Sequence, residues 1–410
     1  MYQFSSNHSI GTLVTHIGED DNPSYAHVTP IYQTSTFNFP DVATGAGIVS
    51  RTQPGYYYTR LGNPNLEQLS RKIAVLEGLD LIRAHPETDP SALIAGLVFA
   101  SGMAAITGVF LSCLKAGDTI IAQEAVYAAT FTFLKDIAQS LGIQVAWVRD
   151  TGQAGWEATF KAHPGARLVY AETPANPTMA VVDLKMVAEL AHQHSAWLAV
   201  DNTFASPYCQ RPLSLGADIV IHSTTKFLSG HGALTGGVVV SSHPDYMHKS
   251  LYTFLKVMGG IPSPFDSWLA NLGLKTFELR MQRHCENTLQ VARFLATHPA
   301  VAMVHYPGLE DDPGHEIAKR QMHAYGGMMS FELKGGMQAG IRLMERVRVA
   351  TLAVSLGNVD TLIEHPASMT HGPVPREDRL NQGITDGLVR LSVGIENLPD
   401  ILADLEQALQ

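Results

Sequence analysis

The chain has 410 residues, 45% of them hydrophobic and 16% charged, and its 28 Lys and Arg against 38 Asp and Glu give a formal charge of −10. So much apolar content excludes a disordered chain, and the length exceeds what one core of about 250–300 residues usually serves. An acidic balance with no basic cluster argues against a nucleic-acid partner, and no run approaches the roughly 18 apolar residues of a membrane span.

The first ten residues, MYQFSSNHSI, lack the charged-then-apolar pattern of a secretory leader, so a soluble cytoplasmic protein is expected. Residues 1–62 read as irregular, rich in Pro, Thr, Tyr and Gly. They are expected to form an arm packed on something else, a neighbouring subunit for example. From Asn65 the pattern turns helical, with Leu66, Leu69, Ile73 and Leu76 on one face and Gly78 at the end. Residues 79–92, with Pro86, Pro90 and several charges, read as a surface loop. Next come a strand over Leu93 to Phe99, a helix over Met103 to Leu114, a strand over Thr119 to Ala122 and a helix over Phe131 to Leu141. Further strands are predicted at Val145 to Val148, Leu168 to Ala171, Trp197 to Val200, Ile219 to Ile221 and Val238 to Ser241.

These runs are continuously apolar rather than alternating, as in strands buried on both faces. The expected class is α/β, a mostly parallel sheet flanked by helices. Gly259-Gly260-Ile261-Pro262-Ser263-Pro264 marks a boundary. Beyond it a long helical pattern, Trp268 to Thr297, leads into mixed strands and helices such as Met328 to Leu333. Three parts follow: an arm (1–62), a larger domain (63–265) and a smaller α+β domain (266–410). Cys113, Cys209 and Cys285 are far apart in sequence and form no CxxC pair, so neither a disulfide framework nor a metal site is expected.

Several features fall where strands should end, which is where open α/β sheets bind ligands. Ser101-Gly102-Met103 opens a helix, as an anion cradle or simply as an N-cap. Asp201 ends an apolar strand and must meet a cation or cap the following turn. Ser223-Thr224-Thr225-Lys226 follows another strand, either a surface lysine or one whose proton affinity is lowered so that it attacks a carbonyl. Tyr127 precedes a helix, to stack on a flat ring or to join the core. Arg390, in the apolar run Leu388 to Val393, is a carboxylate fork or half of an internal ion pair. A Schiff-base lysine, an acid for a ring nitrogen, a phosphate cradle and a stacking group are together what pyridoxal 5'-phosphate requires.

With these residues in this order the chain resembles the Cys/Met-metabolism enzymes of the aminotransferase-like fold type I, over nearly its whole length. Tyr58-Thr59-Arg60 with Gly62-Asn63-Pro64 is similar to the family's phosphate-binding element donated by a neighbouring subunit. Residues 171–177 (AETPANP) look like its cofactor-side loop, and Asp201-Asn202-Thr203 and Ser223 to Lys226 match its cofactor motifs. Residues 352–357 (LAVSLG) and 365–371 (HPASMTH) match its substrate-side motifs.

The resemblance implies a mostly parallel seven-stranded sheet in the larger domain and a homotetramer made of two active dimers. It makes Lys226 the Schiff-base lysine and proton shuttle, and gives Asp201 and Thr203 to the cofactor ring. Phosphate would be held by Gly102, Met103, Ser223 and Thr225, with Tyr58 and Arg60 from the neighbouring chain. Tyr127 would stack on the ring and assist the leaving group. Asn176, Ser355 and Arg390 would place the substrate carboxylate or the cofactor ring.

Within the family the likeness is to the methionine γ-lyases, which implies γ-elimination on a sulfur amino acid, L-methionine before others. Val354 stands where cystathionine γ-lyases carry a glutamate, and a valine suits a small apolar tail. Ala129 and Ala233 replace a cysteine and an aspartate usual in methionine γ-lyases. Alternatives sharing the same cofactor residues are cystathionine γ-lyase or γ-synthase and O-acyl-homoserine sulfhydrylase. An aminotransferase is a further rival, and a non-enzymatic regulator is disfavoured by the presence of Lys226.

Overall fold

A computed structural model describes residues 4–372 and 374–410. Seven strands, β1 (Ala95–Phe99), β2 (Thr119–Gln123), β3 (Gln144–Val148), β4 (Leu168–Glu172), β5 (Trp197–Asp201), β6 (Ile219–Ser223) and β7 (Gly237–Ser241), form one sheet. Their spatial order is β1-β7-β6-β5-β4-β2-β3. The pairs among β2 to β6 are parallel, and β7 runs antiparallel to both β1 and β6. All five residues of β4 and of β7 are buried, because helices cover both faces. Each fully buried Val, Leu or Ile in such a strand contributes about 1.5–3 kcal/mol.

A second sheet is built from β8 (Val301–His305), β9 (Met328–Leu333), β10 (Thr351–Leu352), β11 (Leu362–Glu364) and β12 (Leu388–Ser392), in the order β10-β11-β12-β9-β8. It is antiparallel except for β10 with β11. The helices Phe277–Thr297 and Leu398–Leu409 lend Val291, Leu295, Ile401 and Leu405 to its own core. The expected α/β class, with a seven-stranded sheet and a smaller mixed unit, is the architecture found. No helix among the described residues is long and apolar enough to cross a membrane.

Several local expectations are corrected. Residues 79–92 are not a continuous surface loop: Leu79–Ala84 is helical, with Leu79 and Ile82 buried one turn apart. Pro90 then starts a single helical turn that includes Leu93, so β1 begins only at Ala95. The segment read as irregular contains helices Ile10–His16 and Val42–Val49, and the first buries Leu13 and Val14 in the same core as helix Pro64–Glu77. The helical pattern beyond the boundary is two helices, Pro264–Leu274 and Phe277–Thr297. Helix Ala128–Thr132 continues as a π-helical stretch, Phe133–Ala138. The cysteines are free thiols, yet Cys209 and Cys285, distant in sequence, place their Sγ atoms 3.9 Å apart.

Candidate active site

The carboxyl ends of β4, β5 and β6 open onto a cavity of about 270 Å³, closed on the far side by Val354, Leu356 and Arg390 from the second sheet and its preceding strap. The strands are parallel, so their last residues emerge on one edge. Glu172 ends β4, Asp201 ends β5 and Ser223 ends β6, and Glu172 and Asp201 are direct neighbours in register.

The helix Gly102–Cys113 starts at the same edge. Ser101 caps it, its hydroxyl accepting from the Ala104 N–H at 3.1 Å. The first N–H groups of a helix have no intrahelical acceptor, and with the helix dipole they favour an anion. Two glycines make the approach possible. A Cβ on Gly102 would lie 2.8 Å from the Ser223 Cβ, and one on Gly237 would lie 2.2 Å from the Ser101 carbonyl oxygen. The Ser223 and Thr225 hydroxyls face the same space. Thr225 is fixed there, its oxygen accepting from the Gly236 N–H at 3.0 Å.

Lys226 follows in the same turn. Its Nζ donates to Ser355 Oγ at 3.1 Å. Burial, and then the Arg390 cation, lower the affinity of Lys226 for its proton, so that it titrates at about 8. Such a lysine is partly neutral near neutral pH and can attack a carbonyl carbon.

Asp201 is 7% exposed. Its Oδ1 accepts from the Thr203 N–H at 3.0 Å and its Oδ2 from the Tyr170 hydroxyl at 3.3 Å. Burial pushes its proton affinity up against those bonds. Glu172 beside it is raised for the same reason and by the Asp201 charge. Two buried carboxylates side by side resist carrying two charges, and a cation at the strand ends would relieve both. A protonated ring nitrogen is such a cation. Glu172 also orders its surroundings: Oε2 accepts from the Tyr127 N–H at 2.9 Å and Oε1 from the Asn176 N–H at 2.8 Å.

Arg390 crosses from β12 and is 4% exposed. Its Nη1 donates to Asn176 Oδ1 and pairs with Glu364 Oε1, both at 3.0 Å. Of the two readings offered by the sequence, the internal ion pair is the one present, and the side chain that makes it also lines the cavity. The cradle, the partly neutral lysine, the acid pair and the exposed Tyr127 ring fit a phosphate-bearing aromatic aldehyde. The donor set could therefore hold pyridoxal phosphate.

The cavity collects Gly102, Met103, Tyr127, Asn176, Asp201 and Thr203, together with Ser223, Thr225, Lys226, Val354 and Arg390. Tyr58 and Arg60 are not among them in their own chain. They line a separate hollow with Thr34 and Ile261, where Arg60 bonds the Lys256 carbonyl. Ala233 borders another cavity, of about 420 Å³, with Leu269 and Leu272. The sequence reading gave no role to Glu172 or Glu364. An acid closing an apolar strand was the signal for Glu172, the same signal that marked Asp201.

The sequence profile of the Cys/Met metabolism PLP-dependent enzymes matches residues 11–410. An L-methionine gamma-lyase of Fusobacterium nucleatum subsp. polymorphum is 45% identical over 405 residues, covering 98% of each chain. A cystathionine beta-lyase of Coxiella burnetii is 40% identical, covering 98% of this chain and 97% of its own. The crystal structure of cystathionine gamma synthase from Xanthomonas oryzae pv. oryzae, in complex with aminoacrylate and cysteine, is also similar. It superposes with a TM-score of 0.89 at 37% identity, covering 98% of this chain and 97% of that one.

Proposed function

The chain belongs to the Cys/Met metabolism family of PLP-dependent enzymes, and from that premise we propose that it is a carbon–sulfur lyase acting on L-methionine by γ-elimination. The products would be 2-oxobutyrate, methanethiol and ammonia. The observation that carries this reading is Val354. It stands at the cavity with an apolar side chain 56% exposed, beside Leu356. A short thioether tail is matched by such a wall, whereas a distal ammonium and carboxylate would find no charged or hydrogen-bonding partner in the Val354 side chain. The likeness to relatives named for methionine cleavage supports the same choice.

Pyridoxal phosphate, when bound, supplies an electron sink for charge developing on the substrate carbons. The chain's own residues do the rest. The Gly102 and Met103 N–H groups and the Ser223 and Thr225 hydroxyls would hold the phosphate. Asp201, steadied by Thr203, would hold the proton on the ring nitrogen. Lys226 would bind the aldehyde carbon and then, once freed, carry the α-proton away and take a β-proton. Ser355, 3.1 Å from Lys226 Nζ, would keep that amine aimed. Asn176 and Arg390 would orient the substrate carboxylate. Tyr127, on the cavity wall and 44% exposed, would stack on the ring and protonate the departing thiolate.

In this reading the phosphate site is completed by Tyr58 of the partner subunit and Arg60 of the partner subunit, within a homotetramer of active dimers. The exposed positions of these residues outside the chain's own cavity support that arrangement.

The test is an assay of the purified, cofactor-loaded protein with L-methionine, quantifying 2-oxobutyrate and methanethiol together. Equal amounts of both are expected. If neither forms while cystathionine or O-acetylhomoserine is consumed, the substrate assignment falls and the cofactor chemistry stands.

A further inference from the structure

Arg390 has five N–H donors, and three hydrogen bonds to the protein together with one ion pair already hold it. Nη1 donates to Asn176 Oδ1 at 3.0 Å and forms an ion pair with Glu364 Oε1, also at 3.0 Å. Nη2 donates to the Val354 carbonyl at 3.3 Å and the Ser355 carbonyl at 3.0 Å. The Nε–H has no hydrogen-bond partner among the described residues. The guanidinium is therefore fixed in its plane before any ligand arrives, and at the same time it braces the 354–355 strap.

That strap presents the Ser355 hydroxyl to Lys226 Nζ at 3.1 Å. A continuous line of polar contacts thus runs from Glu364 through Arg390 and the Ser355 backbone to the lysine amine. Glu364 stands at its far end. It lies directly across from Arg390 in the β11–β12 register and is 1% exposed. It is not among the cavity-lining residues. Its Oε2 makes no hydrogen bond within normal limits, though the nearby Thr370 hydroxyl and Arg390 favour its charged form against burial. An acid so placed costs desolvation, which the Arg390 pair offsets.

We infer that Glu364 is a positioning residue for the reaction: it locks the Arg390 fork for the substrate carboxylate and, through the strap, aims Ser355 at Lys226. This rests on the reading of Lys226 and Arg390 given above, but not on which sulfur amino acid is the substrate.

The experiment uses the holoenzyme and glycine, an amino acid with the carboxylate but no side chain, titrated against the absorbance of the bound cofactor. Glu364→Ala is expected to weaken glycine binding about tenfold or more, since the ion pair is lost and the Arg390 cation is left uncompensated. Glu364→Gln, whose amide oxygen reaches the same guanidinium and can accept from it, is expected to recover most of that loss. Glu364→Asp keeps the charge but is one methylene too short, and should stay weak; it also carries the test if the alanine variant does not fold. With methionine, the E364D loss should fall more on KM than on kcat.

A merely structural role would lower the melting temperature of each variant and leave glycine affinity within twofold of the parent. That result in Glu364→Ala, or in Glu364→Asp where the alanine variant does not fold, overturns the inference. Failure of the parent to cleave methionine while it still binds glycine would overturn only the substrate assignment.

Discussion

Lys226 is a lysine that the fold destabilises as a cation, and the cost can be measured without any turnover. In the folded chain it titrates at about 8, against 10.5 for an unperturbed lysine. That difference corresponds to about 3 kcal/mol against the protonated form. Replacing Lys226 with methionine, of similar reach and no charge, removes the penalty but also deletes the hydrogen bond to Ser355, worth about 1 kcal/mol. The cofactor-free variant should therefore be more stable than the parent by about 2 kcal/mol at pH 7. The sign of the pH dependence follows from linkage. Below pH 8 both folded and unfolded lysines are protonated, and the penalty is full. Between 8 and 10.5 the unfolded chain binds more protons, so the parent gains stability as pH rises. The gap between variant and parent should accordingly narrow as pH climbs from 8 to 10. Urea unfolding of both proteins at pH 7 and pH 10 measures it. A gap that does not change with pH, or a variant less stable at pH 7, would refute the claim that burial and Arg390 set this lysine's proton affinity. Reloaded with pyridoxal phosphate, the same variant should show neither the yellow absorbance of the lysine-bound cofactor nor turnover.

Gly102→Ala places a Cβ 2.8 Å from that of Ser223 and narrows the phosphate cradle. Cofactor affinity of the apoprotein, followed by absorbance titration, should drop at least tenfold; unchanged affinity would move the phosphate elsewhere. Arg60→Ala should speed cofactor loss on dialysis, because that guanidinium lies outside its own chain's cavity and would act across a subunit contact. An active monomer by light scattering would sink the shared-site proposal.

What the sequence made legible was whatever a local run can encode. The strands of the first sheet are continuously apolar, so their order along the chain and a mostly parallel pairing followed from that pattern, while the antiparallel setting of β7 did not. Asp201, Ser223 and Lys226 stood out because each is polar at the end of such a run. Where local chemistry was ambiguous, the reading slipped. Pro86 and Pro90 suggested that all of 79–92 is loop, yet Leu79 and Ile82 sit one helical turn apart and their burial won over the nearby breakers.

The site's remaining residues were hidden for a different reason: their meaning lies in pairings across long separations. Glu172 matters because β4 lies beside β5, which puts it level with Asp201 and lets one carboxylate hold the Tyr127 and Asn176 backbones at once. Glu364 closes a three-residue strand whose polarity signals nothing, and only the β11–β12 register sets it against Arg390, 26 positions later. An isolated acid in an apolar segment is chemically expensive wherever it occurs. The cost identifies that a partner must exist, and only the fold says which. Arg390 shows the point from the other side, since the internal ion pair is present and the carboxylate fork is the role proposed for the same side chain. Its ion pair with Glu364 lets the guanidinium be buried and charged at the cavity wall before a carboxylate arrives, and preorganisation of that kind makes a fork selective rather than merely attractive.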